Sequence, residues 1–187
     1  MKIISISPAF FFLVLSPPLS LSLSLSLSLY SIYSCRLLCT SSHIMANLFK
    51  GKKLFSGDKQ VDSSELQNKI VGIYFTACWC PPCRQFTPIL KEYYEAWNGE
   101  PFEIVFLSFD RTSEDCDLYY KNNHGPWLRM EHNDPFVEEL KNKYNVTGIP
   151  KLVIINRKEE VISLNGREDV QDKKLDAMKY WKDAKCS

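Results

Sequence analysis

The chain has 187 residues, enough for one domain of ordinary size with some additional length. It carries 23 basic and 22 acidic side chains for a net charge of +1, so no basic field suits nucleic acid and no acidic tail suits a solvating role. Of its seven cysteines, an odd number, three cluster between Cys78 and Cys83. That pattern argues against a secreted disulfide scaffold and for a reducing compartment with one special thiol pair.

Residues 1–44 contain one lysine, one arginine and no acid, whereas charge is dense from Lys50 onward. Lys2 followed by the apolar run around Phe10 to Leu15 has the layout of a secretory signal. Pro17 and Pro18 interrupt it, and no small-x-small cleavage site follows soon after. The run also falls short of the roughly 18 residues of a membrane span. The Leu–Ser alternation beyond it is what a CT dinucleotide repeat yields when read in triplets. Residues 1–44 are therefore expected to be a low-complexity extension, either a leader read through in translation or a targeting segment. Residues 45–187 are expected to hold the one folded domain.

Within that domain, "KLFSGDKQV" predicts a small hairpin turning at Ser56-Gly57-Asp58. The run "KIVGIYFTA" at 69–77 predicts a strand buried on both faces. It leads into "CWCPPC", after which Phe86, Ile89, Leu90, Tyr93, Tyr94 and Trp97 recur with a helical period, predicting a helix over 84–97. A second buried strand is predicted at 102–109. Thr112 and Asp115 form a capping pair that starts a helix running to 122. Gly125-Pro126-Trp127 reads as a break, with Trp127 a candidate for the border of the active groove and His124 and His132 in polar loops. A further amphipathic helix is predicted at 136–144. The segments 151–156 and 161–164 read as an antiparallel hairpin, and 170–181 as one charged last helix. Strands alternating with helices imply βαβ units and an α/β domain, closed by the hairpin and that helix.

The chemistry lies in "CWCPPC". For Cys80 and Cys83 the alternatives are a redox pair, half of a metal site, or structural bystanders. Their place at a strand end and a helix start supplies unpaired backbone N–H groups and the positive end of the helix dipole. A Cys80 thiolate is stabilised there, with a pKa lowered from about 8.5 towards roughly 7. Residues i and i+3 share a helical face, close enough for a disulfide after a small adjustment. Pro81 and Pro82 suit the first turn, where N–H donors are not needed, and they stiffen the loop. Cys80 would attack a substrate disulfide and the more buried Cys83 would resolve the intermediate. Zinc would need four ligands, and Cys78, Cys116, His124 and His132 form no second knuckle. Cys78 reads as a packed strand-end thiol or a third regulatory thiol, Cys116 as a buried bystander and Cys186 as a free tail thiol. Pro150 precedes a buried strand. It reads as a strand-start residue or, beside the dithiol, as a cis-proline with the Ile149 backbone facing substrate.

Taken together, "YFTACWCPPCRQFTPILKEYYEAW", "VFLSFDRTSEDCDLYY", "PWL" and "YNVTGIPKLVII" resemble the thioredoxin fold, and more narrowly its tryparedoxin and nucleoredoxin branch. The likeness implies a thioredoxin-like α/β fold, a central mixed β-sheet flanked by helices, over nearly all of the chain from Met45 to Lys185. It implies Cys80 as attacking thiol, Cys83 as resolving thiol, Trp79 as the ring shielding the site and Pro150 as cis-proline. Arg84, Asp110 and Arg167 are further candidates, each reading equally well as a solvated charge. Ordinary thioredoxins have a buried acid where this chain has Tyr74, and Gly-Pro where it has Pro81-Pro82.

The expected function is reduction of protein disulfides, with no cofactor and no metal. The expected partners are disulfide-containing proteins and, as electron donor, a low-molecular-weight thiol or a reductase; nucleic acid and membrane are not expected. The alternative is a redox-gated binding module of nucleoredoxin type with little turnover. The expected compartment is the cytosol or nucleus, or the secretory pathway if residues 1–44 are a signal.

Overall fold

The computed structural model describes residues 48–97 and 101–183. The extension at 1–44, with Cys35 and Cys39, and the tail cysteine Cys186 lie outside them. In chain order the elements are β1 (Leu54–Ser56), β2 (Lys59–Val61), a 3-10 turn (Ser63–Leu66), β3 (Ile70–Thr76), α1 (Pro81–Ala96), β4 (Phe102–Ser108), α2 (Ser113–Asn123), β5 (Leu128–Met130), α3 (Phe136–Lys143), β6 (Lys151–Ile155), β7 (Val161–Ser163), α4 (Gly166–Lys173) and α5 (Asp176–Asp183). The strands form one mixed sheet in the order β2-β1-β5-β4-β3-β6-β7. The two pairs β3–β4 and β4–β5 are parallel, whereas β3–β6 and the outer pairs are antiparallel.

β3 lies inside the sheet, and every one of its residues is buried. Strand alternation sends Ile70 and Tyr74 to one face and Val71, Ile73 and Phe75 to the other. On the first face Phe102, Ile104, Phe106, Leu152 and Ile154 meet α1, α2 and the last two helices. On the second, Val105, Leu107, Val153 and Ile155 meet the Phe136, Val137 and Leu140 stripe of α3. On the first face Gly72 leaves room for its neighbours, since a Cβ there would lie 3.2 Å from the Leu152 side chain.

The front hairpin, the buried strands and the capped α2 form as the patterns predict, and the Thr112 hydroxyl accepts from Asp115 N at 3.1 Å. Other parts differ. β5 follows the Gly125-Pro126 break as a three-residue strand without a readable period; it exists because β4 and β1 flank it. The predicted last helix is two helices, α4 and α5, divided at Lys174, whose φ is 49°. Trp127 does not line the groove beside Cys80: it is fully buried, its ring 5.5 Å from that of Tyr94.

His124 is likewise not in a polar loop. It caps the C-terminal end of α2 and is 5% exposed, with the rings of Phe106 and Tyr119 at 4.4 and 4.5 Å. Neither ring nitrogen has a hydrogen-bond partner among the described residues. Burial first, and the charge of Lys91 second, push its pKa down from 6.5 to about 3. The unfolded chain therefore binds a proton here between those values and the folded chain does not. Stability is complete above pH 6.5 and falls by about 1.4 kcal/mol per pH unit as pH drops through the window. Urea unfolding at several pH values should show this acid slope, and His124→Phe should flatten it; an unchanged slope would show that the imidazole protonates without unfolding.

Candidate functional site

β3 ends at Thr76, and a short turn carries the chain into α1. Cys80 N donates to Ala77 O at 3.2 Å, and Cys80 is the N-cap of α1 with Pro81 and Pro82 at its first two positions. The prolines have no N–H, so the helix begins at Pro81 rather than at 84 without leaving donors orphaned there. The Arg84 N–H closes the first helical bond onto Cys80 O at 3.1 Å. Of the N–H groups usually unpaired at a helix start, the Cys83 N–H is thus the first available near the sulfurs.

Cys80 and Cys83 are joined as a disulfide with a Cα–Cα separation of 5.2 Å. Cys83 is fully buried and Cys80 is 4% exposed. The two pack in a small cluster with Ala77, against Phe109 and Ile149. The Ile149–Pro150 peptide is cis, and the Ile149 carbonyl oxygen lies 3.6 Å from Cys80 Sγ. Trp79 stands 49% exposed beside the pair, its indole N–H donating to Phe109 O at 2.9 Å. These residues, far apart in the chain, meet where β3 and the loop before β6 end side by side.

Asp110 is 5% exposed, which overturns its reading as a solvated charge. It accepts from Cys78 N at 2.6 Å and from the Ser108 hydroxyl at 2.7 Å. Arg84 donates to Cys78 O at 2.6 Å, so the two peptide groups that flank the Cys78 Cα are each held by a charged side chain. Arg167 sits farther along, its Nε on Gln171 at 3.2 Å and its guanidinium 6.0 Å from the Phe86 ring centroid. It flanks α1, and among the described residues its hydrogen bond is to its own helix.

Cys78 is half-buried, and its thiol is pushed up to about 11, by burial first and then by Asp110. At neutral pH it is a thiol, not a thiolate. Cys116 is buried, and burial raises its pKa too. No group of three or more His, Cys, Asp or Glu among the described residues is placed to hold a metal ion.

Beneath Cys83 lies a hydroxyl network that the sequence reading missed. Thr87 Oγ1 donates to Cys83 O at 2.9 Å and is 2.9 Å from Tyr74 Oη and 2.7 Å from Tyr119 Oη. Burial raises the pKa of both phenols, so the place of a buried acid is taken by neutral hydroxyls. The signal for Thr87 was present, since it follows Cys83 by four residues on the same helical face; nothing local marked Tyr119.

The Thioredoxin-like family profile matches residues 68–161. Nucleoredoxin of Xenopus laevis is 39% identical over 123 residues, covering 64% of this chain and 29% of that protein, so the match spans less than a third of that relative's length. Thioredoxin from Wuchereria bancrofti superposes with a TM-score of 0.65 at 44% identity, over 74% of this chain and 99% of that one. Tryparedoxin II complexed with glutathionylspermidine gives a TM-score of 0.63 at 31% identity, over 69% and 92%. No helix among the described residues is long and apolar enough to cross a membrane. The mixed sheet, the bonded Cys80–Cys83 pair at a helix start and these likenesses agree: the chain belongs to the thioredoxin-like family, with nucleoredoxins and tryparedoxins among its relatives.

Proposed function

We propose that the protein is a thiol–disulfide oxidoreductase that reduces protein disulfides through Cys80 and Cys83. The observation that carries this reading is the bonded pair itself, with Cys80 at the mouth of α1 and 3.6 Å from the Ile149 carbonyl that precedes Pro150. In the reduced protein the helix mouth favours a Cys80 thiolate. That thiolate attacks one sulfur of a substrate disulfide; the substrate S–S bond breaks, and the departing thiolate takes up a proton. Cys83 then loses its proton and attacks Cys80 Sγ, releasing the second substrate thiol. The substrate gains two electrons and the pair becomes the Cys80–Cys83 disulfide.

Trp79 and Pro150 shape the approach, Pro81 and Pro82 hold the helix start, and the Ile149 backbone receives substrate. Arg84 and Asp110 are positioning residues, since both act through the backbone of Cys78. A low-molecular-weight thiol or a reductase returns the electrons. The tryparedoxin II complexed with glutathionylspermidine makes the first a reasonable donor here. The direction is reductive in the cytosol or nucleus, where the glutathione poise keeps such pairs reduced.

The similarity to nucleoredoxin supports a second reading, a redox-gated binding module with little turnover. The purified protein should accelerate reduction of insulin disulfides by dithiothreitol, and Cys80→Ser should return the rate to the uncatalysed background. Full activity in Cys80→Ser would remove the mechanism. Cys83→Ser should trap many substrates from a reduced lysate as mixed disulfides; one stoichiometric non-covalent partner would favour the module instead.

Thiol selectivity gives an independent check. With limiting iodoacetamide at pH 7, mass spectrometry should find Cys80 alkylated first. A thiol of pKa about 11 has a thiolate fraction of only about 1 in 10⁴ at that pH, so Cys78 should react only as the solution becomes strongly alkaline. Equal labelling of the two at pH 7 would show that the clamped thiol is not suppressed.

A further inference from the structure

We propose that the groove beside Cys80 takes an extended polypeptide bearing an acidic side chain next to its disulfide, and that Lys141 selects it. The inference deepens the dithiol reading above and rests on it. The groove, about 380 Å³, is lined by Trp79 and Phe109, by the segment 146–149 and by Lys141. It adjoins the reactive sulfur through two of its lining residues, since Trp79 precedes Cys80 and the Ile149 carbonyl lies 3.6 Å from Cys80 Sγ. A segment bound there runs over apolar surface, and Lys141 is the one charged side chain among the lining residues.

The Lys141 ammonium is 5.5 Å from the Phe109 ring centroid, which holds it against the groove wall. Its partner is Glu138, one turn earlier on α3, at 2.9 Å. Both side chains of that pair are exposed, at 39% for Lys141 and 57% for Glu138, and such a pair is weak and readily exchanged. A substrate carboxylate reaching the rim meets a cation beside low-dielectric walls, where attraction exceeds that in bulk water. A lysine or arginine there meets a like charge. Glu138 competes with the substrate for the same ammonium, so the two α3 residues act in opposite directions.

Three short peptides test this, each with a central cysteine blocked as its 2-thiopyridyl disulfide and flanked on both sides by Glu, Gln or Lys. The reduced full-length protein attacks the peptide sulfur through Cys80; the peptide–thiopyridyl bond breaks, and the released pyridine-2-thione is followed by absorbance. Dividing each rate by that of the same peptide with free cysteine removes intrinsic reactivity. The expected Glu-to-Gln rate ratio is about threefold, with the Lys peptide slowest. Lys141→Gln should bring the Glu-to-Gln ratio to about one, Glu138→Gln should raise it, and high salt should shrink it. Equal rates for the three peptides, or a preference that survives Lys141→Gln, would overturn the inference and leave the dithiol reading standing. No thione release from any peptide would overturn both.

Discussion

The backbone of Cys78 is held on both sides, its N–H by the buried carboxylate of Asp110 and its carbonyl by the guanidinium of Arg84. The two partners come from the turn after β4 and the first turn of α1, so this one residue ties the sheet to the helix start. The bond to the buried Asp110 carboxylate is charge-assisted and stronger than a neutral one, whereas the bond from the exposed Arg84 is weakened by solvent. The next residue, Trp79, is anchored through its indole to Phe109 O, and the one after it is the N-cap cysteine. The loop that carries Cys80 therefore has little freedom to move away from the helix mouth or from the Ile149 carbonyl. The candidate chemistry depends on that immobility, since a sulfur must meet its partner within narrow limits of distance and direction.

The same clamp keeps three neighbouring cysteines distinct. Asp110 faces Cys78, whose thiol is pushed up first by burial and then by that carboxylate, while Asp115 adds to the rise and Arg84 opposes it. Cys80 has no such carboxylate among its described contacts and sits instead at the positive end of α1. Below Cys83, Thr87, Tyr74 and Tyr119 supply hydrogen bonds but no ionised base. An unpaired carboxylate at that depth would carry a large desolvation cost, which the hydroxyl network avoids.

The sheet separates two tasks. On one face, α1 and α2 close over an aromatic core that includes Trp127 and His124. On the other, α3 packs its Phe136, Val137 and Leu140 stripe inward and carries Lys141, paired with Glu138, at the rim of the groove. Phe109 joins this second face to the cysteine site: it stacks on Phe75, accepts from Trp79 through its carbonyl and lies under the Lys141 ammonium. Stable packing on both faces leaves the strand ends of β3 and β4 as the place where irregular backbone and reactive groups gather, as is usual for sheets of this kind.

Much of this was written in the sequence, because its causes are local. The apolar run of β3, the helical period after the CxxC pair, the first-turn prolines and the Thr112 cap act over spacings of a few residues, and each appears where those spacings put it. The i, i+3 relation of Cys80 and Cys83 is of the same kind. Only the tertiary structure decided what depends on distant partners. β5 has three residues and exists because β4 and β1 lie on either side; Trp127 and His124 look like loop residues until the aromatic core surrounds them. Asp110, readable as a solvated charge or as a polar group near the dithiol, is buried against Cys78 only by the turn after β4. Local sequence sets which backbone shapes are favourable, but burial and charge pairing arise from segments that meet only when the chain has folded.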